Sequence, residues 1–371
     1  MNIERSTSER SVLVPLGERA YRIHLEPHAL TRLPAFLSEF LPEADRIAVV
    51  TCQSVGSLWG HQVREALAST GLPCTWVELP DGEAAKSLDS LRDIFDALLP
   101  AGMTRQSGLI ALGGGVVGDI AGYAAASILR GIRFVQIPTT LLAMVDSSVG
   151  GKTGINHAAG KNLIGAFHQP TGVVVDPAVL STLPIEEFRA GFAEVIKYGV
   201  IYDADLFAFL EDNLEAIFQR QPQPLLHILE RSIAIKAEVV GIDETETGLR
   251  AILNYGHTIG HAIEAATHYR QWRHGEAVAM GMVAANRLAA LRGMLGAAPD
   301  LETRVSTLCH RAGLPTSIPP DLTPEVLLPP MRKDKKVRDS KLRFVLPTRI
   351  GSVEIVPGIP EDQVAQAINA F

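Results

Sequence analysis

Two histidines four residues apart, His257 and His261, stand in the stretch LNYGHTIGHAIE (253–264). Four residues advance an α-helix by about 400°, so a helical reading puts both imidazoles on one face, where they could share one ion or do separate jobs. His274 follows in RHGEAVAMGM, at the start of the next helical pattern. Hard or borderline divalent metals also take oxygen, and GFAEVIKYG (191–199) offers Glu194 among apolar residues, with Lys197 three places on. A carboxylate in such surroundings needs a neutralising partner, and Lys197 and a metal are both candidates. A His/His/Glu set with one position left open is the arrangement of catalytic zinc centres. Helix caps or satisfied core histidines would give the same spacing, so both readings stand at this point.

Around the same pattern lie Lys236, Arg250 and Asn254, and later MRKDKK (331–336). Each alone reads as a solvated surface charge. Together with the run DSSVGGKTGINHAAGKN (146–162), which holds Lys152, Lys161 and Asn162, they compose a site for a small polyanion. The GKT in that run is not a P-loop, because position 146 is Asp where the phosphate-binding loop requires Gly. What remains is a Gly-rich loop that suits an anion or a plain solvated surface.

A second glycine cluster is more specific. In ALGGGVVGDIAGY, Gly113, Gly115 and Gly118 satisfy G-x-G-x-x-G directly after the apolar run LIAL and before a helical pattern. Glycines there allow a tight turn and close backbone approach to a pyrophosphate, which the free N–H groups of the helix start can hold. About 20 residues on, where a dinucleotide-binding unit offers an acid for the ribose, this chain has IPTT. The acid sits upstream instead: DGEAAK (81–86) could bring Asp81 or Glu83 to the carboxyl end of an adjacent strand, or serve only as a turn and helix cap.

These groups need a scaffold, and the first half of the chain supplies one. Short β-branched runs at 21–25, 46–51, 75–80, 109–112, 133–138 and 172–177 alternate with helical patterns such as 55–70 and 85–99, the mark of a parallel sheet covered by helices. After residue 184 the patterns around 186–200, 204–219, 224–241, 252–266, 275–293 and 298–312 read as helices, followed by one strand pair, KLRFVLP and GSVEIVP. The expectation is an α/β N-terminal domain with a Rossmann-like parallel sheet (1–184) and a mostly α-helical C-terminal domain (185–371) that binds metal and substrate. No internal repeat or low-complexity tract interrupts them.

With 371 residues, 47% hydrophobic and 20% charged, the chain has room for two domains and a sizeable core. A formal net charge of −7 argues against a nucleic-acid partner, so any anion site must be local. Cys52, Cys74 and Cys309 show neither CxxC spacing nor a disulfide framework, which fits a reducing compartment. The N-terminal residues lack the continuous apolar core of a signal peptide and no apolar run reaches the ~20 residues of a membrane span, so the cytoplasm is the expected location, with no membrane partner.

Taken in order, DGEAAKSL, GGGVVGD, RG at 130–131, IPTTLLAMVDSSVGGKTGIN, GKNLIGAFHQP, GFAEVIKYG, DETETGLRAILNYGHTIGHAIE, HGEAVAMGM and DKK resemble the 3-dehydroquinate synthase family of sugar-phosphate cyclases, from about residue 20 to the C-terminus. Met144 stands where that family commonly has Gln, and EPHAL (26–30) replaces a Gly-containing turn. The resemblance implies the dehydroquinate synthase-like fold and a zinc (or cobalt) ion on Glu194, His257 and His274. His261 is then not a ligand but faces the substrate phosphate, with Lys152, Asn162, Asn254, Lys335 of the DKK motif, and Arg130 reaching from a partner subunit of a homodimer. Lys236 and Arg250 would hold the substrate carboxylate, Asp146 and Lys197 its hydroxyls, and Glu246 shares the pocket. NAD would contact Asp81, Gly82, Glu83, Ala84, Ala85 and Lys86; Gly115, Val116, Val117, Gly118 and Asp119; Thr139, Thr140, Lys152 and Lys161; and Val179, Leu180, Ser181 and Thr182.

The implied reaction turns the seven-carbon keto-acid phosphate DAHP into 3-dehydroquinate and phosphate, in the shikimate route to aromatic amino acids. Hydride loss to NAD makes a ketone that acidifies the neighbouring C–H, phosphate leaves by β-elimination, the hydride returns, and the opened ring closes by an intramolecular aldol. Zinc serves as a Lewis acid in this scheme. A sibling cyclase acting on a heptulose phosphate would keep the NAD, metal and phosphate residues but would have no use for Lys236 and Arg250. A metal-dependent polyol dehydrogenase would accumulate NADH, and a metal-stabilised binding module would release no phosphate.

Overall fold

The computed structural model describes residues 10–333 and 342–369. These fold as two compact units: the described residues up to Leu183 together with Leu225–Thr245, and Pro184–Pro224 together with everything described from Glu246 onward.

The first unit is built on strands β1 (Arg10–Val14), β2 (Tyr21–Leu25), β3 (Ile47–Cys52), β4 (Cys74–Leu79), β5 (Gly108–Gly113) and β6 (Arg133–Pro138), a hairpin of β7 (Lys152–His157) and β8 (Gly160–Phe167), and β9 (Gly172–Val175). Seven of them form one sheet in the order β1-β2-β9-β6-β5-β3-β4. β1 and β2 pair antiparallel and every other neighbour is parallel. Parallel strands covered on both faces read as continuous apolar runs, and β5 (GLIALG) is buried at all six positions. Its covering helices are α1 (Leu33–Phe40), α2 (Gln53–Ala68), α3 (Leu88–Leu98) and α4 (Gly115–Ser127). Val50, Leu91, Ile94, Leu98, Ile120, Ala124 and Phe134 share one core cluster.

The second unit is mainly helical. α5 (Ile185–Ile201) is buried from Gly191 to Ile201, as befits a helix enclosed by its neighbours. In chain order there follow α6 (Ala204–Phe218), α7 (Pro222–Ile242), α8 (His257–Ala266), α9 (His274–Leu291), α10 (Leu301–Arg311), α11 (Pro324–Lys333) and α12 (Glu361–Asn369), with an antiparallel pair β10 (Arg343–Arg349) and β11 (Ser352–Pro357) before the last helix. α7 departs from the expected division: from Leu225 onward it groups with the first unit, whereas its sequence pattern counts it with the helical half. Periodicity reveals that a segment is a helix; it does not reveal which layer the apolar stripe covers.

Three further details depart from the sequence reading. The Gly-rich run at 146–162, expected as a loop, is largely the β7–β8 hairpin, in which Gly154 and Gly165 pair so closely that a Cβ on Gly165 would lie 2.1 Å from the Thr153 carbonyl. Its glycines permit this approach, and composition alone does not separate that use from flexibility. LNYGHTIGHAIE is not one helix: a 3₁₀ turn, Leu249–Asn254, ends before Tyr255, and α8 begins only at His257. Gly256, with φ +79°, makes the break, because that left-handed conformation favours glycine. Strand β1 is an addition that the strand-like runs do not include. Among the described residues, no helix is long and apolar enough to cross a membrane.

Candidate metal and nucleotide sites

In the second unit, glycines set how closely the helices approach. A Cβ on Gly281 of α9 would fall 2.0 Å from the Gly256 carbonyl at the head of α8, and one on Gly275 would fall 1.9 Å from the Ala190 carbonyl of α5. The three backbones that carry Glu194, His257 and His274 therefore meet at glycine contacts, which leaves room for their side chains to converge. His257 Nε2 lies 3.5 Å and His274 Nε2 3.7 Å from Glu194 Oε1. The donor atoms of the three all lie within 4.8 Å of one another. Ligands at ~2.0–2.1 Å around a tetrahedral ion stand about 3.3 Å apart, so the set needs only a small contraction to hold one.

The electrostatics point the same way. Glu194 is fully buried, Lys197 Nζ pairs with its Oε2, and among the described residues Oε1 accepts no hydrogen bond. An interior carboxylate in that condition is costly unless cations surround it, and a metal would use the lone pairs that no donor satisfies. The imidazoles are aimed by their other nitrogens. His257 Nδ1 donates to the Tyr255 carbonyl at 3.0 Å, and His274 Nδ1 donates to Glu264 Oε2 at 3.1 Å. Acceptors at both Nδ1 atoms fix the tautomer and leave both Nε2 lone pairs facing Glu194. The donor set of one carboxylate and two imidazole nitrogens fits zinc or cobalt.

His261 lies beside this trio, whose own two rings, His257 and His274, are 5.2 Å apart. Its ring centroid is 5.3 Å from that of His257 and 5.9 Å from that of His274, and it joins a different group of potential donors, with Glu264 and His274. Asn254 Nδ2 donates to Glu246 Oε1 at 2.6 Å, which gathers two more of the expected substrate residues. Arg250 is buried in the 3₁₀ turn between them. Lys335 falls outside the described residues.

In the first unit, the candidate nucleotide residues sit where ligands of open α/β sheets gather, beyond the carboxyl ends of the strands. β5 leads through Gly114 into α4, whose first turn holds Gly115, Val116, Val117, Gly118 and Asp119. β6 leads to Thr139 and Thr140, β4 to Asp81–Lys86, and β9 to the 3₁₀ turn Pro177–Thr182 that contains Val179, Leu180, Ser181 and Thr182. Asp81 Oδ1 accepts from the Ser54 hydroxyl at 2.7 Å, which holds its carboxyl below the usual range. Thr182 Oγ1 accepts from Trp59 Nε1 at 3.2 Å, and Thr139 Oγ1 is buried without a hydrogen bond among the described residues.

The loop after β4 is stitched to the hairpin. Lys86 Nζ donates to Asp119 Oδ2 at 2.6 Å and to Asn162 Oδ1, Asn156 Nδ2 donates to Glu83 Oε1 at 2.8 Å, and Lys161 Nζ lies 3.8 Å from the same Glu83 oxygen. Burial pushes the Asp119 carboxyl up, and Lys86 offsets only part of that. Lys152 is exposed at the start of β7. Asp146, in the helical turn Ala143–Ser147, accepts from Lys236 Nζ through Oδ1 at 2.7 Å and through its carbonyl at 2.6 Å. Three non-glycine residues among the candidates hold left-handed backbones: Arg130 (φ +69°), Asn162 (φ +54°) and Glu246 (φ +62°). Such strain persists where function or packing demands it, although Asn tolerates it better than the others. Arg130 is exposed, just after α4.

Two residues enter the site without having been among the sequence candidates: Glu264 and Tyr255, which orient the histidines. Glu264 is visible in principle, as an acid at i+7 from His257 on the helix stripe that also carries His261. Tyr255 acts through its backbone carbonyl, which no side-chain pattern reveals.

Solved structures with this fold include 2-epi-5-epi-valiolone synthase from Streptomyces hygroscopicus with NAD+ and Zn2+ bound, at TM-score 0.86 and 31% identity over 94% of this chain and 95% of that one. Another is 2-deoxy-scyllo-inosose synthase complexed with carbaglucose-6-phosphate, NAD+ and Co2+, at TM-score 0.87 and 26% identity over 97% and 99%. The fold is thus that of the sugar-phosphate cyclases. Sequence profiles described as 3-dehydroquinate synthase N-terminal and C-terminal match residues 76–190 and 191–337. A 3-dehydroquinate synthase of Nostoc punctiforme is 48% identical over 360 residues, 96% of this chain and 98% of the relative. The chain belongs to the 3-dehydroquinate synthase family.

Proposed function

We propose that this protein is an NAD- and metal-dependent lyase that converts DAHP into 3-dehydroquinate and inorganic phosphate. The family membership supports the reaction, and one observation supports the metal: a fully buried Glu194 whose Oε1 accepts no hydrogen bond among the described residues and is faced by the Nε2 atoms of His257 and His274. When bound, the metal supplies Lewis acidity at the reacting hydroxyl and NAD a reversible hydride acceptor, so the overall reaction is redox-neutral.

The chain's own groups then bind and orient. Glu194, His257 and His274 hold zinc or cobalt. Asp81–Lys86, Gly115–Asp119, Thr139, Thr140, Lys152, Lys161 and Val179–Thr182 hold NAD, with the amides at the start of α4 suited to its pyrophosphate. Lys236 and Arg250 clamp the substrate carboxylate, and Asp146 and Lys197 orient its hydroxyls beside Glu246. Lys152, Asn162, Asn254, His261 and Lys335 receive the phosphate, joined by Arg130 from the second copy of a homodimer. His261 positions the leaving phosphate, whose own oxygens take the proton as the C–O bond breaks. The cytoplasm is the expected location, and neither nucleic acid nor membrane is a partner.

The carboxylate residues separate this reading from a sibling cyclase. Assayed side by side, DAHP should release phosphate and heptulose 7-phosphate should not; the reverse preference would assign the chain to a sugar-phosphate substrate without a carboxylate.

A further inference from the structure

Glu264 is a buried acid that the proposed reaction does not use. It lies on α8 with His257 and His261 at positions i, i+4 and i+7, so one stripe of the helix carries two imidazoles and a carboxylate. It is 4% exposed, and an interior carboxylate is kept only where something nearby answers its charge. Its Oε2 stands 3.1 Å from His274 Nδ1, on the opposite side of that ring from Glu194. His274 is the first residue of α9 and is 30% exposed at its side chain, so packing alone does little to hold the ring.

We infer that Glu264 is a positioning residue for the metal: it fixes the tautomer and rotation of His274 and makes this imidazole a stronger donor. The inference rests on the metal reading above. Because a carboxylate oxygen only accepts, the proton stays on Nδ1 and the Nε2 lone pair stays available. Partial proton sharing with the carboxylate adds electron density to the ring, and loss of such a partner lowers metal affinity by about 10–100-fold. The two imidazoles are held unequally. His257 leans on a backbone carbonyl, which no substitution removes, while His274 leans on a side chain that mutation can change. Metal retention is therefore tuned at Glu264.

The experiment uses the full chain stripped with chelator, with zinc titrated against a competing chromophoric chelator and the melting temperature of each metal-free protein recorded. Glu264→Gln, which keeps an oxygen acceptor without the charge, should bind zinc about 10-fold more weakly, and Glu264→Ala about 100-fold. Both should melt with the wild type when metal-free. Wild-type zinc affinity in Glu264→Gln and Glu264→Ala would overturn the inference, as would a loss of affinity matched by a loss of metal-free stability. Should Glu264→Ala not fold, the Gln variant alone decides. A wild-type chain that takes up no zinc would overturn the metal reading itself, and this inference with it.

Discussion

His257 Nε2 and Glu194 Oε1 lie 3.5 Å apart although α6 and α7 intervene between them in sequence, and that oxygen accepts no hydrogen bond among the described residues. Such a pair is a metal site in waiting or a costly defect. Glu194→Gln, His257→Ala or His274→Ala should each abolish stoichiometric zinc and lower turnover by about a thousandfold or more, the scale of several kcal/mol of Lewis-acid stabilisation. Elemental analysis and phosphate release measure the two. His261→Ala should lower turnover while keeping its zinc; loss of the metal there would reverse the assignment of the two histidines.

Lys236 sits on Asp146 with both a carboxylate and a carbonyl contact, so its ammonium is fixed in place. Lys236→Met should reduce kcat/KM for DAHP by about 100-fold, the value of a lost charge-assisted hydrogen bond, chiefly through KM. An unchanged KM would remove Lys236 from the carboxylate site.

The glycine contacts make a stability prediction. Gly275→Ala puts a methyl 1.9 Å from the Ala190 carbonyl and Gly281→Ala one 2.0 Å from the Gly256 carbonyl, backbone obstacles that cannot rotate away. Each should cost about 1–3 kcal/mol or more by overpacking, and should weaken zinc binding because the ligand helices separate. Gly296→Ala, with nothing within 4 Å, should leave both near the wild type. Thermal melts of the three variants decide this.

Burial pushes the Cys309 thiol up to about 12, so at pH 8 only about one part in ten thousand is thiolate, and the side chain is closed to solvent. A thiol reagent should leave Cys309 unmodified in the native protein and label it once the chain is unfolded. Cys74, which is exposed, should react in the native state. Fast native labelling of Cys309 would show that α10 opens locally.

Much of this was legible from residue types. The strand–glycine–helix junction at Gly113–Gly118 has few physical solutions, and the buried acid in GFAEVIKYG demanded a counter-charge. The geometry that turns these into a site was less visible. Gly256 splits Asn254 from His257, so the apparent continuous helix is a turn and a helix. The glycines of β7–β8 serve close pairing, a tertiary property that composition does not encode. Leu225–Thr245 groups with the sheet-bearing unit, which its periodicity does not reveal, and Tyr255 orients His257 through a backbone atom common to every residue.

The proposed reaction is a redox-neutral, metal-dependent elimination and cyclisation. Its most direct test is phosphate release from DAHP in the presence of NAD, with and without chelator, followed together with the NADH absorbance. Phosphate should appear without net NADH and should stop when the metal is removed. NADH rising in step with turnover, or phosphate release that survives complete metal removal, would contradict the account.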